Sequence, residues 1–199
     1  WLFVLAHLSH HICTGILVPM LPLIRADFSL NYFMSGVLVS GFNLTYGLSQ
    51  IPLGRLADRL DKRFVIMAGL MGLGLATMLT GLAQNYYLLL GFLTVMALLG
   101  GTYHPSAAPA LVQRFPLAQR GRALGLHFIG GNLSFFVAPL AAGLIAQASG
   151  WREAYIVLGI PAIIVALLFR RLMGNPSVAS PEAAAKPKAG IGLSQGSPV

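Results

Sequence analysis

At 199 residues the chain is 56% hydrophobic and only 9% charged, against about 25% charged in an ordinary soluble domain, so it has too little charge to cover a soluble surface. The net charge of +8 would suggest nucleic acid in a soluble protein. In so apolar a chain it reads instead as the cytoplasmic excess of Lys and Arg in a membrane protein, with lipid and not nucleic acid as its surroundings. Several uncharged runs reach about 20 residues, enough to cross a hydrocarbon core as helices. They are too long and continuous for barrel strands, which alternate over about 10 residues. The expected class is an all-α, multi-pass membrane protein.

Six spans follow in chain order. The first covers about 1–24, followed by a link over 25–31. The second covers 32–53 and ends in a charged link, Gly54 to Arg63. The third covers 64–83 and turns at Gln84-Asn85 into the fourth, 86–112. A link over 113–123 leads to the fifth span, 124–146, and one over 147–153 to the sixth, 154–169. Together these make a transmembrane domain over 1–170. Residues 171–199 are expected to form a flexible cytoplasmic tail or linker, because Pro, Ala, Ser, Gly and Lys dominate there without apolar periodicity. The chain starts at Trp1 with no basic n-region and no small-residue cleavage site, so no signal peptide is expected.

Alternate links share a side. One side holds Arg55, Arg59, Lys62, Arg63, Arg114, Arg120, Arg122, Arg170, Arg171, Lys186 and Lys188, which is 11 of the 13 basic residues. The other holds only Arg25 and Arg152, each close in sequence to an acidic residue. That bias places the charged link and both termini in the cytoplasm. Glycines within the spans (Gly69, Gly72, Gly74, Gly100, Gly101, Gly130, Gly131 and Gly143) allow close helix packing where lipid supplies no hydrophobic drive. Cys13 is the single cysteine and lies in an apolar run, so a packed thiol is expected.

The link Gly54-Arg55-Leu56-Ala57-Asp58-Arg59-Leu60-Asp61-Lys62-Arg63 resembles the cytoplasmic signature between helices two and three of the major facilitator superfamily, Gly-x-Leu-x-Asp-Arg-x-Gly-Arg-Arg. Gly54, Leu56, Asp58, Arg59 and Arg63 match in place, Lys62 keeps a charge, and Asp61 stands where glycine is usual. Asp27-Phe28-Ser29-Leu30, Tyr103-His104-Pro105 and Gly130-Gly131-Asn132 with Pro139 look like the fosmidomycin-resistance branch. Arg120-Gly121-Arg122-Ala123-Leu124-Gly125 is similar to the link between helices four and five of many members. The resemblance implies a six-helix half built of two three-helix repeats, the N-terminal half of a twelve-helix transporter. It also implies that Asp58 belongs to a cytoplasmic latch with Gly54, Arg59, Arg63 and Arg114, whose opposing helix lies in the other half. Two features depart from the pattern. The arginine many members carry in helix four is missing from 90–96, and His11 stands where relatives of that branch often have an acid.

Polar groups inside the spans flag the solute path. His7, His10 and His11 share one face of the first helix, because residues three and four apart stack on one side. His104 lies at a similar depth, and His127 near the cytoplasmic end of the fifth span. Imidazole titrates near neutral pH, so His7, His11 and His104 are candidates for a cavity that binds an anion or relays protons. Asn43, Gln50 and Asn132 add amides, with Thr45 and Tyr46 beside them, that contact solute or neighbouring helices. Pro105 and Pro139 are expected to bend helices four and five, and Pro161 helix six. No carboxylate lies inside any span, so coupling through an intramembrane acid has no support.

His7-Leu8-Ser9-His10-His11 is also the kind of string that membrane di-iron desaturases use, but too few further ligands remain to complete such a site. No nucleophile–base pair, phosphate-cradling loop or metal-ligand cluster stands out, so no enzyme activity, cofactor or metal is expected. The expected function is secondary transport of a small organic solute by alternating access, with efflux implied by the resemblance and proton coupling resting on the histidines. It needs a second six-helix half, and the setting is a bacterial inner membrane. The alternative is a six-helix scaffold that does not transport.

Overall fold

The computed structural model describes residues 1–173. Among them are eight helices and no strand: α1 (Leu2–Gly15), α2 (Leu17–Asp27), α3 (Tyr32–Arg59), α4 (Lys62–Gly81), α5 (Tyr86–Gly100), α6 (Tyr103–Val112), α7 (Leu117–Ser149) and α8 (Trp151–Met173). α1 with α2 fills the first expected span, and α5 with α6 fills the fourth. α8 carries the last span three residues beyond the expected boundary at 170. From residue 174 on, the expected tail lies outside the described residues.

Helix starts follow from capping. Asn31 Oδ1 accepts from the Met34 amide at 2.8 Å, and Asn85 Oδ1 accepts from the Leu88 amide at 3.0 Å. Asp61 accepts from the Arg63 amide at 2.9 Å and opens α4. Each side chain satisfies one of the donors a helix start leaves free. Gly150, at φ +101°, makes the tight corner between α7 and α8, a conformation side chains rarely adopt.

Five stretches are both long and apolar enough to cross a membrane: Leu2–Asp27, Lys62–Gly81, Tyr86–Val112, Leu117–Ser149 and Trp151–Met173. α3 differs. Its 28 residues span roughly 42 Å at 1.5 Å each, but Asn43, Thr45, Tyr46, Ser49 and Gln50 dilute its apolarity.

The two divided spans break alike. Ile16 sits at φ −72°, ψ −24°, and Thr102 at φ −71°, ψ −25°, so the backbone stays right-handed while the helical ladder is interrupted. Pro19 follows Ile16 by three residues, and Pro105 follows Thr102 by three. Each proline lacks a donor and crowds the carbonyl four residues back, at Gly15 and Gly101. The break expected at Pro105 therefore falls one turn earlier, and an equivalent break at Pro19 accompanies it. Pro139 and Pro161 lie inside helices that continue unbroken through them.

Packing shows the same internal symmetry. α1 lies along α7, and α5 lies along α3, so the first helix of each three-helix repeat meets the second helix of the other. The third helices, α4 and α8, pair with each other. Glycine permits these crossings. A Cβ on Gly74 would stand 2.7 Å from the Gly159 carbonyl oxygen, and one on Gly159 would stand 2.6 Å from the Gly74 oxygen. One on Gly130 would strike the Val4 carbonyl. Buried Thr77 and Thr80 return their hydroxyls to Leu73 and Ala76 carbonyls, so they cost no unpaired polar group. Cys13 is fully buried, its thiol 3.6 Å from the Leu158 carbonyl. The outer surface carries large apolar side chains such as Leu44, Phe135, Phe136 and Leu167, as expected where lipid or another helix layer replaces water.

Candidate functional site

All five histidines of the chain converge on one place. α1 supplies His7, His10 and His11, α6 supplies His104 as its second residue, and α7 supplies His127. His7 is the hub. Its ring centroid lies 4.1 Å from that of His127, 4.8 Å from His11 and 5.3 Å from His104. His10 lies 4.9 Å from His11 and 5.2 Å from His104. Tyr103 forms the floor, stacked on His10 at 4.6 Å and on His7 at 5.6 Å. His7, His10, His127 and Tyr103 are buried, while His11 and His104 are half-buried.

The fold brings these rings together in two ways. The break before Pro105 sets His104 in the first turn of α6, facing α1. Gly131 lets α7 close in: a Cβ there would lie 2.5 Å from His7 Cε1 and 2.8 Å from each of its ring nitrogens. Gly131 is thus the space the His7 imidazole occupies.

Hydrogen bonds assign several ring protons. A main-chain carbonyl can only accept, so a ring nitrogen bonded to one must carry hydrogen. His7 Nδ1 donates to the His127 carbonyl at 2.8 Å, and His127 Nδ1 donates to the Phe3 carbonyl at 3.1 Å. Thr14 Oγ1 bonds the His10 carbonyl at 3.2 Å and meets His11 Nδ1 at 3.4 Å. In the neutral rings Nε2 of His7 and His127 then carries the lone pair. His10 Nε2 meets the Tyr46 hydroxyl at 3.0 Å. Among the described residues, His7 Nε2 and His10 Nδ1 are buried without a hydrogen-bond partner. The cluster therefore holds a buried lone pair without a donor at His7 Nε2.

The amides expected on the solute path make no hydrogen bond to these histidines among the described residues. Asn43 and Asn132 are exposed, on α3 and α7, and Gln50 is half-buried on α3. A cleft of about 710 Å³ opens at the end of the bundle that carries Trp1 and Met173. Arg114, Arg122, Phe3 and His127 line it, so its inner wall reaches the histidine cluster.

The charged link lies at that same end. Asp58, in the last turn of α3, pairs with Lys62 at 3.1 Å and not with Arg114. Arg63 donates to the Met173 carbonyl at 3.0 Å, tying the start of α4 to the end of α8. Arg114 shares a second cleft with Asp61, Lys62 and Arg63. Partial burial, and then Arg63 nearby, hold its guanidinium below the usual pKa, with Asp61 opposing. Arg59 is exposed. Gly54 packs on Pro105, where a Cβ would sit 3.3 Å from the proline Cβ, so the link touches the broken helix.

Sequence reasoning gave His10 and His127 less weight than they have here, and did not single out Tyr103 or Gly131 as site residues. His10 was legible as part of the α1 face, and Gly131 as half of a glycine pair. The carbonyl partners of His7 and His127 left no signal, because any residue supplies a carbonyl.

The family model described as Major Facilitator Superfamily matches residues 3–197. The "Probable sulfoacetate transporter SauU" of Cupriavidus necator is 33% identical over 148 residues, covering 74% of this chain and 34% of that protein. The "Multidrug resistance protein MdtG" of Yersinia enterocolitica is 30% identical over 148 residues, covering 72% of this chain and 36% of that protein. The chain thus spans about a third of the length of these relatives. Among solved structures, a bacterial homolog of the human lysosomal transporter Spinster, inward-facing and unoccupied, superposes with a TM-score of 0.74 at 25% identity, covering 87% of this chain and 42% of that one. A peptide transporter in complex with sulfate superposes with a TM-score of 0.76 at 15% identity, covering 84% of this chain and 36% of that one, a likeness of fold alone. The chain belongs to the Major Facilitator Superfamily.

Proposed function

We propose that this chain is one six-helix half of a secondary transporter, and that its histidine cluster lines the path of a small organic solute. The observation that carries the reading is the convergence of five imidazoles from α1, α6 and α7 beside two helix breaks. Irregular backbone at membrane depth is tolerated where it lines a cavity. Ionisable groups at that depth are expensive and mark solute or proton routes by default. Exposed Asn43 and Asn132 then face a second half, and solute moves between the halves as they rock.

Proton coupling falls to the imidazoles in this reading, since none of the acidic residues lies within an expected span. His127 at the inner wall of the cleft, stacked on His7, gives a relay a beginning. Efflux is supported by the likeness to multidrug resistance proteins, and an organic anion by the likeness to a sulfoacetate transporter. The fosmidomycin-resistance branch rests on the quoted Tyr103-His104-Pro105 and Gly130-Gly131-Asn132 strings. Asp58 and its neighbours act as one side of a latch on the cytoplasmic face, and the membrane is a bacterial inner membrane.

The test is flux in proteoliposomes that hold this chain together with its second half, in one polypeptide or as a separate chain. A pH gradient should drive uptake or release of small organic anions or cationic drugs. His11→Ala with His104→Ala should abolish the response to the gradient. Flux that keeps its pH dependence in that double variant overturns the relay, and no flux of any solute overturns the transport reading.

A further inference from the structure

We propose that His7, His11 and His104 form a mononuclear site for a first-row transition-metal dication of the Zn²⁺ and Co²⁺ type. One ligand nitrogen from each of the three rings lies within 4.8 Å of the other two. The site shares the histidine cluster with the transport reading but does not depend on transport.

Tautomer assignment carries the case. The Nδ1 hydrogen of His7 is held by the His127 carbonyl, leaving a lone pair on Nε2. That nitrogen is buried, on a side chain only 3% exposed, and has no partner among the described residues. A buried acceptor without a donor is costly, and a cation removes that cost. His11 Nδ1 likewise meets a fixed oxygen, Thr14 Oγ1 at 3.4 Å, which leaves Nε2 as its unengaged nitrogen. A ligating imidazole whose other nitrogen is fixed by a carbonyl or hydroxyl is the usual outer-shell arrangement at metal sites. His104 makes no side-chain hydrogen bond among the described residues, so a turn of its ring toward the others breaks none.

The donor set selects the class of ion. Three imidazoles without a carboxylate suit zinc, cobalt, nickel or copper, and not magnesium or calcium. Cys13 is directed to the Leu158 carbonyl, so no thiolate joins. It is not a di-iron site, because the carboxylates that would bridge two irons are missing from the spans. Bonds of about 2.0–2.1 Å in a tetrahedral site bring nitrogens to roughly 3.4 Å of each other. The rings must therefore draw in by roughly 1.4 Å at the widest pair. His11 and His104 are the half-buried members and supply that movement. Three ligands leave a fourth position open, which an anionic group of a solute or a water can take.

The experiment is titration of the tag-free full chain in detergent with Co²⁺ alone and with Zn²⁺ alone. Co²⁺ should bind saturably at one site and give the visible bands of a tetrahedral complex, and Zn²⁺ should displace it. His11→Ala and His104→Ala should each weaken binding at least roughly tenfold, and Thr14→Val, which removes the His11 support, should weaken it less. His7→Gln tests the buried ligand, with folding checked by circular dichroism. If that variant fails to fold, His11→Ala and His104→Ala, both at half-buried positions, decide. Folded wild-type chain that binds no Co²⁺, or binding that both alanine variants leave unchanged, overturns the site. Pathway and metal site fail separately: gradient-driven flux without metal binding sinks only the metal, and metal binding without flux sinks only the transport reading.

Discussion

The imidazole of His7 lies flat against that of His127, ring centroids 4.1 Å apart and planes 13° from parallel. The His7 ring also donates to the main-chain carbonyl of His127 itself. His127 in turn donates to the carbonyl of Phe3, one helical turn before His7. The two rings thus cross-link α1 and α7 through a closed pair of side-chain to main-chain bonds. Two polar side chains are buried with their Nδ1 hydrogens satisfied and their Nε2 lone pairs directed elsewhere.

That pair depends on the missing side chain at Gly131. Gly131→Ala should push His7 off its position or part the two helices. Overpacking of this kind costs about 1–3 kcal/mol. Gly143→Ala, on the same helix with open space at its Cβ, should be neutral or slightly stabilising, since Gly costs a helix about 0.5–1 kcal/mol against Ala. Thermal melts of the detergent-solubilised chain should separate the two variants, and equal melting temperatures would deny Gly131 its spacing role.

The end of the bundle away from Trp1 and Met173 is closed by a contact of long sequence range. Asp27, at the end of α2, accepts from Arg152 at 2.6 Å and from the Trp151 indole at 3.2 Å. Arg152 also donates to the Ala83 carbonyl at 3.1 Å, which draws three turns of the chain together. Both charged side chains remain partly exposed, at 36% and 40%, so screening limits the ion pair to about 0.2–1 kcal/mol. Asp27→Asn keeps an acceptor for the indole and should lower the melting temperature only slightly. Asp27→Ala should cost more, and the loss on Asp27→Asn, which removes the charge, should shrink in high salt.

What the sequence made legible was local. Long apolar runs, the turn at Gln84-Asn85 and the shared face of His7, His10 and His11 are properties of neighbouring residues. The broken fourth helix was readable from Pro105, although the interruption falls at Gly101 and Thr102. The matching break before Pro19 went unread because a proline near the middle of an apolar run leaves the run's length and hydropathy intact. The pairing of Asp27 with Arg152 was hidden by a sequence separation of 125 residues. Each of those two was read instead against its nearest opposite charge in sequence. The full histidine cluster was hidden likewise, since His127 joins it only because Gly130 and Gly131 let α7 settle on α1. The resemblance groups Asp58 with Arg114 in a latch, whereas among the described residues its ion pair is with Lys62, four residues away.

The crossing of α4 and α8 allows a test of coupling. Gly74 and Gly159 each leave room for the other's carbonyl oxygen. Gly74→Ala and Gly159→Ala should each destabilise by about 1–3 kcal/mol. Their effects should not add, because one Cβ already separates the helices and the second then meets less resistance. Residues in contact depart from additivity by about 0.5–3 kcal/mol. A double variant whose loss equals the sum of the single losses would mean that the two positions yield independently.

Asp58 separates stability from transport. Its carboxylate is 74% exposed and pairs with Lys62 in an i, i+4 arrangement. Such a pair is worth about 0.3–0.5 kcal/mol. Asp58→Asn should therefore leave membrane insertion and the melting temperature of this chain nearly unchanged. If Asp58 also closes a latch against the second half, the same substitution should slow transport cycling in the assembled protein severalfold. Lys62→Gln removes the local ion pair and leaves the carboxylate, so under the latch reading it should cycle normally. Equal slowing in both variants would reduce Asp58 to a surface charge, and undiminished cycling in Asp58→Asn would remove the latch altogether.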